Sequence, residues 1–191
     1  MAKRRVIIVT DGDSTAQEAV EIAAHDLNLY MLKLSGKPPS ALSEDTVLQL
    51  ILQAPYEPVV VMVDDNGQKG RGPGENLIEY LINHDDCLNI IGVVAIASNT
   101  PVERGIKVDF SVNAKGQVVN APVDKDGIEE PPKHKLLEGD TVEILKNHPQ
   151  LLVIGCGDPG KMNYRDTVSY GAFVTSRCFQ EILERSEIPH G

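Results

Sequence analysis

A strand covered by helices on both faces has no polar side to show, so it reads as a short unbroken run of β-branched and apolar residues. Four such runs punctuate this chain: Val6–Thr10, Val59–Val63, Ile90–Ala97 and Leu151–Ile154. Between them the period changes to that of a helix. Ala16, Ala19, Val20, Ala23 and Leu27 follow the first run, behind overlapping capping pairs of Ser14 with Gln17 and Thr15 with Glu18. Val47, Leu48, Ile51 and Leu52 mark a second helix between a Ser43 cap and a stop at Pro55, and Leu77, Ile78, Leu81 and Ile82 mark a third. Leu29–Leu34 reads as another strand, ended by Gly36 and the Pro38-Pro39 pair. Lys107–Val112 and Gln117–Ala121 flank Asn113–Gly116 as an edge hairpin. Asp140 is placed to cap a short helix reaching Lys146, and a closing helix beginning near Gly171 carries Val174, Cys178, Phe179, Ile182 and Leu183. Strand alternating with helix predicts a mostly parallel sheet with helices on both faces, a Rossmann-like three-layer sandwich plus an edge hairpin. At 191 residues and 41% hydrophobic content, one α/β domain over residues 1–191 is expected.

Charge and composition remove several function classes. A net charge of −10 argues against a nucleic-acid partner and against simple attraction to anionic lipid. The longest apolar stretch, Ile90–Ala97, is far short of the roughly 20 residues of a membrane helix. The basic start MAKRR leads into a short strand and a turn, so no secretory signal is expected and the chain reads as soluble. Three cysteines, Cys87, Cys156 and Cys178, without a C-x-x-C pair, fit a reducing compartment and buried apolar roles.

The chemistry gathers where the strands stop. Val6–Thr10 runs into Asp11-Gly12-Asp13, Val59–Val63 into Asp64-Asp65-Asn66-Gly67, and Leu151–Ile154 into Gly155-Cys156-Gly157-Asp158-Pro159-Gly160-Lys161. In a parallel sheet these loops share one rim, where ligands gather. Two readings stand side by side. Asp11, Asp13, Asp64 and Asp65 are oxygen ligands of the type a hard divalent cation, Ca²⁺ or Mg²⁺, takes. Alternatively, Asp11 and Asp13 are turn and helix-cap residues. The loop DDNGQKGRGPGE offers an anion site through the amides of Gly67, Gly70 and Gly72 and the charges of Lys69 and Arg71, or acts as a flexible lid. It is not a P-loop, because Pro73 stands where the phosphate-binding lysine belongs. GCGDPGK offers Gly155, Gly157, Asp158 and Lys161 to the same ligand, but Pro159 interrupts any dinucleotide fingerprint. DKDGIEE has its glycine, Gly127, in the fourth position where a calcium loop needs it sixth, so a turn is expected. The histidines are dispersed, and there is no G-x-S-x-G elbow.

The segments RRVIIVTDGD, PVVVMVDDNGQKGRGPGE, VVAIASNT, VDKDGI, GDTVEIL, IGCGDPGKM and EILERS, in this order, resemble the stage V sporulation protein AE family of spore-forming bacteria. The resemblance spans nearly the whole chain. It implies a soluble component of the apparatus that moves dipicolinic acid into the developing spore and releases it as a calcium chelate on germination. It further implies the other subunits of that channel as partners, a position peripheral to the spore inner membrane, and membrane contact only through those partners. It supplies no catalytic residue, and Lys69 and Arg71 make the middle loop more cationic than the family pattern.

Two function classes follow. In the first, the chain is a non-enzymatic accessory or ligand-sensing subunit. Lys69, Arg71 and the glycine amides meet the carboxylates of dipicolinate, while Asp11 or Asp64 completes the coordination of a bound calcium. In the second, the acidic rim holds Mg²⁺ for phosphoryl or phosphodiester chemistry of Toprim-like type. Against the second, Thr10 and Asp11 follow the first strand where that fold has a glutamate, and Asp64 and Asp65 are adjacent where it has D-x-D.

Overall fold

The computed structural model describes residues 2–10, 13–33, 42–64, 72–98, 105–139 and 141–187. Its centre is a seven-stranded sheet in the order β2-β3-β1-β4-β9-β6-β7. The strands are β1 (Arg4–Thr10), β2 (Tyr30–Met31), β3 (Val59–Val63), β4 (Leu88–Ile96), β6 (Phe110–Val112), β7 (Val118–Val119) and β9 (Val153–Cys156). All pairings are parallel except the last, β6 with β7. A second, two-stranded antiparallel sheet joins β5 (Gly105–Ile106) to β8 (Leu137–Glu138).

The unbroken apolar runs have the expected cause. Along β3, Val59, Val61 and Val63 enter one core while Val60 and Met62 enter the other. Along β1, Val6 and Ile8 divide from Ile7 and Val9 in the same way. The first core is closed by α2 (Glu44–Leu52), α3 (Pro73–Ile82) and a 3-10 helix at Glu143–Asn147. The second is closed by α1 (Ser14–Asp26) and α4 (Phe173–Ser186), with Phe179 and Ile182 fully buried between α4 and the sheet. This is the three-layer arrangement that the alternation of periods predicts.

The details differ in instructive places. The cap of α1 is Asp13, as the cap reading of that aspartate has it, and not Ser14 or Thr15. β2 is two residues long, although the Leu32 amide still donates to the Val60 carbonyl at 2.9 Å. The remainder of the predicted Leu29–Leu34 strand, with Gly36 and the Pro38-Pro39 stop, lies partly outside the described residues. The edge hairpin is present, with Ser111 opposite Val119 and Val112 opposite Val118, but only its outer strand reverses direction; β6 itself runs parallel to β9. The short β5–β8 sheet has no counterpart in the sequence reading. Asp140 lies outside the described residues.

The parallel strands end level with one another. Thr10 lies opposite Val63 on one side and Ala95 on the other, while Cys156 lies opposite Ile96 and Val112. The loops leaving β1, β3, β4, β9 and β6 therefore leave from one rim.

Candidate functional site at the carboxyl rim

Asp13 does two things at once. One carboxylate oxygen accepts hydrogen bonds from the amides of Thr15 and Ala16, each at 2.9 Å, and so caps α1. The other accepts from the Lys161 ammonium, which also donates to Asp158 at 2.9 Å. Lys161 thus ties the loop after β9 to the helix after β1, across the end of the intervening β4. The other oxygen of Asp158 is buried and has no hydrogen-bond partner among the described residues.

The protonation tendencies follow from this geometry. Burial alone would raise the Asp13 carboxyl, but the Lys161 ammonium and the amides of Ala16 and Thr15 outweigh it and hold the group below the ordinary aspartate value. At Asp158 burial prevails: its carboxyl is raised despite Lys161, with repulsion from Asp13 adding to the effect. Burial opposes the charge on Lys161, yet its two carboxylate partners keep it protonated beyond the usual lysine range. A divalent cation between Asp13 and Asp158 would have to take the place of this ammonium.

The surrounding loop is built by close packing. A side chain on Gly155 would collide with Ser111 Oγ, and one on Gly157 would meet the Gly127 amide at 2.7 Å. The Asp158 amide donates to the Lys125 carbonyl at 2.8 Å. The DKDGIEE segment is a turn, as its glycine spacing implies: Asp124 Oδ1 accepts from the amides of Asp126 and Ile128, each at 2.9 Å. Gly160 has φ +76° and presses on the Thr15 carbonyl, which leaves no room for a Cβ.

Beyond Lys161 three successive non-glycine residues form a turn at positive φ. Met162, Asn163 and Tyr164 have φ of 46°, 53° and 66°. Each such non-glycine residue costs about 1–2 kcal/mol, so the turn persists only because its ends are fixed. Met162 is fully buried at one end. At the other, Asp166 is fully buried and accepts from Gly160 N (3.0 Å), Val174 N (2.8 Å), Thr175 N (3.1 Å) and Thr175 Oγ1 (2.6 Å). Ala172, the nominal cap of α4, has no polar side chain, so Asp166 supplies the cap from upstream. Sequence reasoning missed Asp166, because a cap held in place through tertiary structure leaves no local spacing to detect.

Of the residues singled out by sequence, Asp13, Asp158 and Lys161 come together, with Gly155 and Gly157 in the strand and loop behind them. Asp64 follows directly on β3 at the same rim. Gly72 caps α3, its amide donating to Glu75 Oε2 at 2.8 Å. Asp11, Asp65, Gly67, Lys69, Gly70 and Arg71 lie outside the described residues. Among the described residues no group of three or more His, Cys, Asp or Glu side chains is arranged to hold a metal ion. The α-helix that follows the GCGDPGK loop, α4, begins at Phe173.

The fold and rim define a doubly wound α/β protein whose strand-end loops carry its polar chemistry. The chain belongs to the family described as Stage V sporulation protein AE1, whose sequence profile matches residues 5–186. Membership assigns it a role in sporulation. No curated protein matches the chain. Among solved structures, a de novo designed protein of the PLOOP2X3_50 fold aligns over 100% of both chains at 11% identity with a TM-score of 0.46, a likeness that supports no argument. Among the described residues no helix is long and apolar enough to cross a membrane.

Proposed function

We propose that this protein is a non-enzymatic accessory subunit that senses dipicolinate or its calcium chelate during dipicolinic acid uptake into the forespore and release on germination. It acts with the other subunits of that channel, peripheral to the spore inner membrane and touching the membrane only through them. The observation that carries the reading is the Lys161 ammonium held between Asp13 and Asp158 at the rim where the parallel strands end. A chelate brings carboxylates and a cation together, so it addresses both signs of that cluster: its carboxylates take Lys161, and its calcium takes the released aspartates. Lys69, Arg71 and the amides of Gly67, Gly70 and Gly72 are further anion contacts in this proposal, with Asp11, Asp64 and Asp65 as further calcium ligands.

Titration calorimetry with Ca²⁺, dipicolinate and the chelate tests it, run beside phosphatase and nuclease substrates with Mg²⁺. Saturable chelate binding without turnover, weakened in Lys161→Met, is the expected result. Mg²⁺-dependent turnover that disappears in Asp64→Asn would replace the proposal with the phosphoryl-transfer alternative.

A further inference from the structure

A polar cleft opens farther along the same rim, beyond β9. It has a volume of about 360 Å³ and is walled by three turns: Asn113–Lys115 after β6, Asp126–Glu129, and Asn163–Arg165. That volume lies within the roughly 300–1,000 Å³ typical of small-molecule sites. All three turns are internally braced. Asn113 Oδ1 accepts from the amides of Lys115 (3.0 Å) and Gln117 (3.1 Å), while its Nδ2 donates to Glu129 at 3.1 Å. The Ala114 amide donates to the Gly127 carbonyl at 2.8 Å. The third wall is the strained left-handed turn, fixed by Met162 and Asp166, and it is this conformation that brings Asn163 and Arg165 to the cleft. Strain of this kind concentrates at sites that bind.

The charges divide by wall. Lys115 and Arg165 supply two cations from the first and third turns, and neither has an ion-pair partner among the described residues. Asp126 and Glu129 supply two carboxylates from the middle turn. Ile128, on the same turn, is 58% exposed and offers an apolar contact. A plain anion would meet the carboxylates and a plain cation the basic groups. A ligand carrying both charges on a small apolar frame satisfies both walls, with its carboxylate on the planar Arg165 fork. We propose that this cleft binds a small zwitterion, a carboxylate and a protonated amine on an apolar frame of amino-acid size. The inference stands apart from the chelate-sensing reading, which concerns the Asp13–Lys161–Asp158 cluster.

The test is amide chemical-shift titration of the full chain with L-valine, with isovalerate, which lacks the amine, and with isobutylamine, which lacks the carboxylate. Saturation by L-valine below about 10 mM is expected, with shifts confined to residues 113–115, 126–129 and 163–165. The two half-ligands should bind about tenfold more weakly or worse. Arg165→Gln should weaken L-valine by about tenfold or more, and Asp126→Asn should abolish the preference for L-valine over isovalerate. Both side chains are at the surface of the cleft, so the unchanged remainder of the spectrum certifies folding. Equal binding of L-valine and isovalerate, binding indifferent to both substitutions, or no saturation would each overturn the inference. So would calcium dipicolinate shifting these same amides where L-valine does not, a result that would move the proposed chelate site here rather than refute it.

Discussion

Replacing Asp166 with alanine removes a side chain that holds the start of α4 and the Gly160 loop together. Three backbone amides and the Thr175 hydroxyl lose their acceptor, at 2.6–3.1 Å, in a fully buried position. Hydrogen bonds to a charged group contribute about 1.5–3 kcal/mol each, but they share one carboxylate whose burial is itself unfavourable, so their sum overstates the loss. Breaking a buried charged network at one member costs about 3–5 kcal/mol, and that is the magnitude expected here. For a chain of this size about 1 kcal/mol lowers Tm by roughly 2–4 °C, so Asp166→Ala should fall by about 6–20 °C. Urea unfolding should show a lower midpoint at an unchanged slope, with faster exchange at the Gly160 and Val174 amides. Asp166→Asn, which keeps one acceptor oxygen, should lose roughly half as much. A midpoint shift worth less than about 1 kcal/mol in Asp166→Ala would refute the assignment of Asp166 as the distant cap.

Three further outcomes follow from the same region. Asp13 has a folded value below its unfolded one, so its stabilisation is complete above the ordinary 3.8 and is lost as pH falls through the depressed folded value. In Lys161→Met the Asp13 carboxyl should titrate higher by carbon-detected NMR, and that acid-side loss of stability should shrink; the Asp158 carboxyl, already raised, should rise further. Gly160→Ala should destabilise by roughly 2 kcal/mol or more in urea, since it combines a left-handed residue with a Cβ 2.7 Å from the Thr15 carbonyl. Ser111 Oγ is buried without a hydrogen-bond partner among the described residues, so Ser111→Ala should leave stability within about 0.5 kcal/mol or raise it. It should also lessen the roughly 1–3 kcal/mol cost of Gly155→Ala, whose Cβ would meet that hydroxyl, in a double-mutant cycle.

What the residues disclose in advance depends on whether a feature is written locally. The central strands are legible because a strand sandwiched between two helical layers must be apolar at successive positions, as Val59–Val63 is. The convergence of the Asp13 and Asp158 loops follows from parallel order alone. Within that rim, the helix-cap reading of Asp13 describes its Oδ1, and the contact with Lys161 joins positions far apart in sequence. β5 and β8 are two residues long each, too short for any period to register, whereas the equally short β7 lies inside the expected Gln117–Ala121 strand because the Asn113–Gly116 turn announces it. The Met162–Tyr164 turn offers no glycine to betray its left-handed backbone, because tertiary anchors at Met162 and Asp166 enforce it. Asp166 is invisible for the same reason: its partners are placed by the fold.

The two outermost strands of the main sheet, Tyr30–Met31 and Val118–Val119, are the shortest in it. A two-residue border exposes too few unpaired backbone groups to template a neighbouring chain, so strand addition and open-ended stacking are discouraged on both flanks. Neighbouring proteins are thereby steered toward the helical layers and the strand-end turns, where side chains rather than main-chain ladders decide what is admitted.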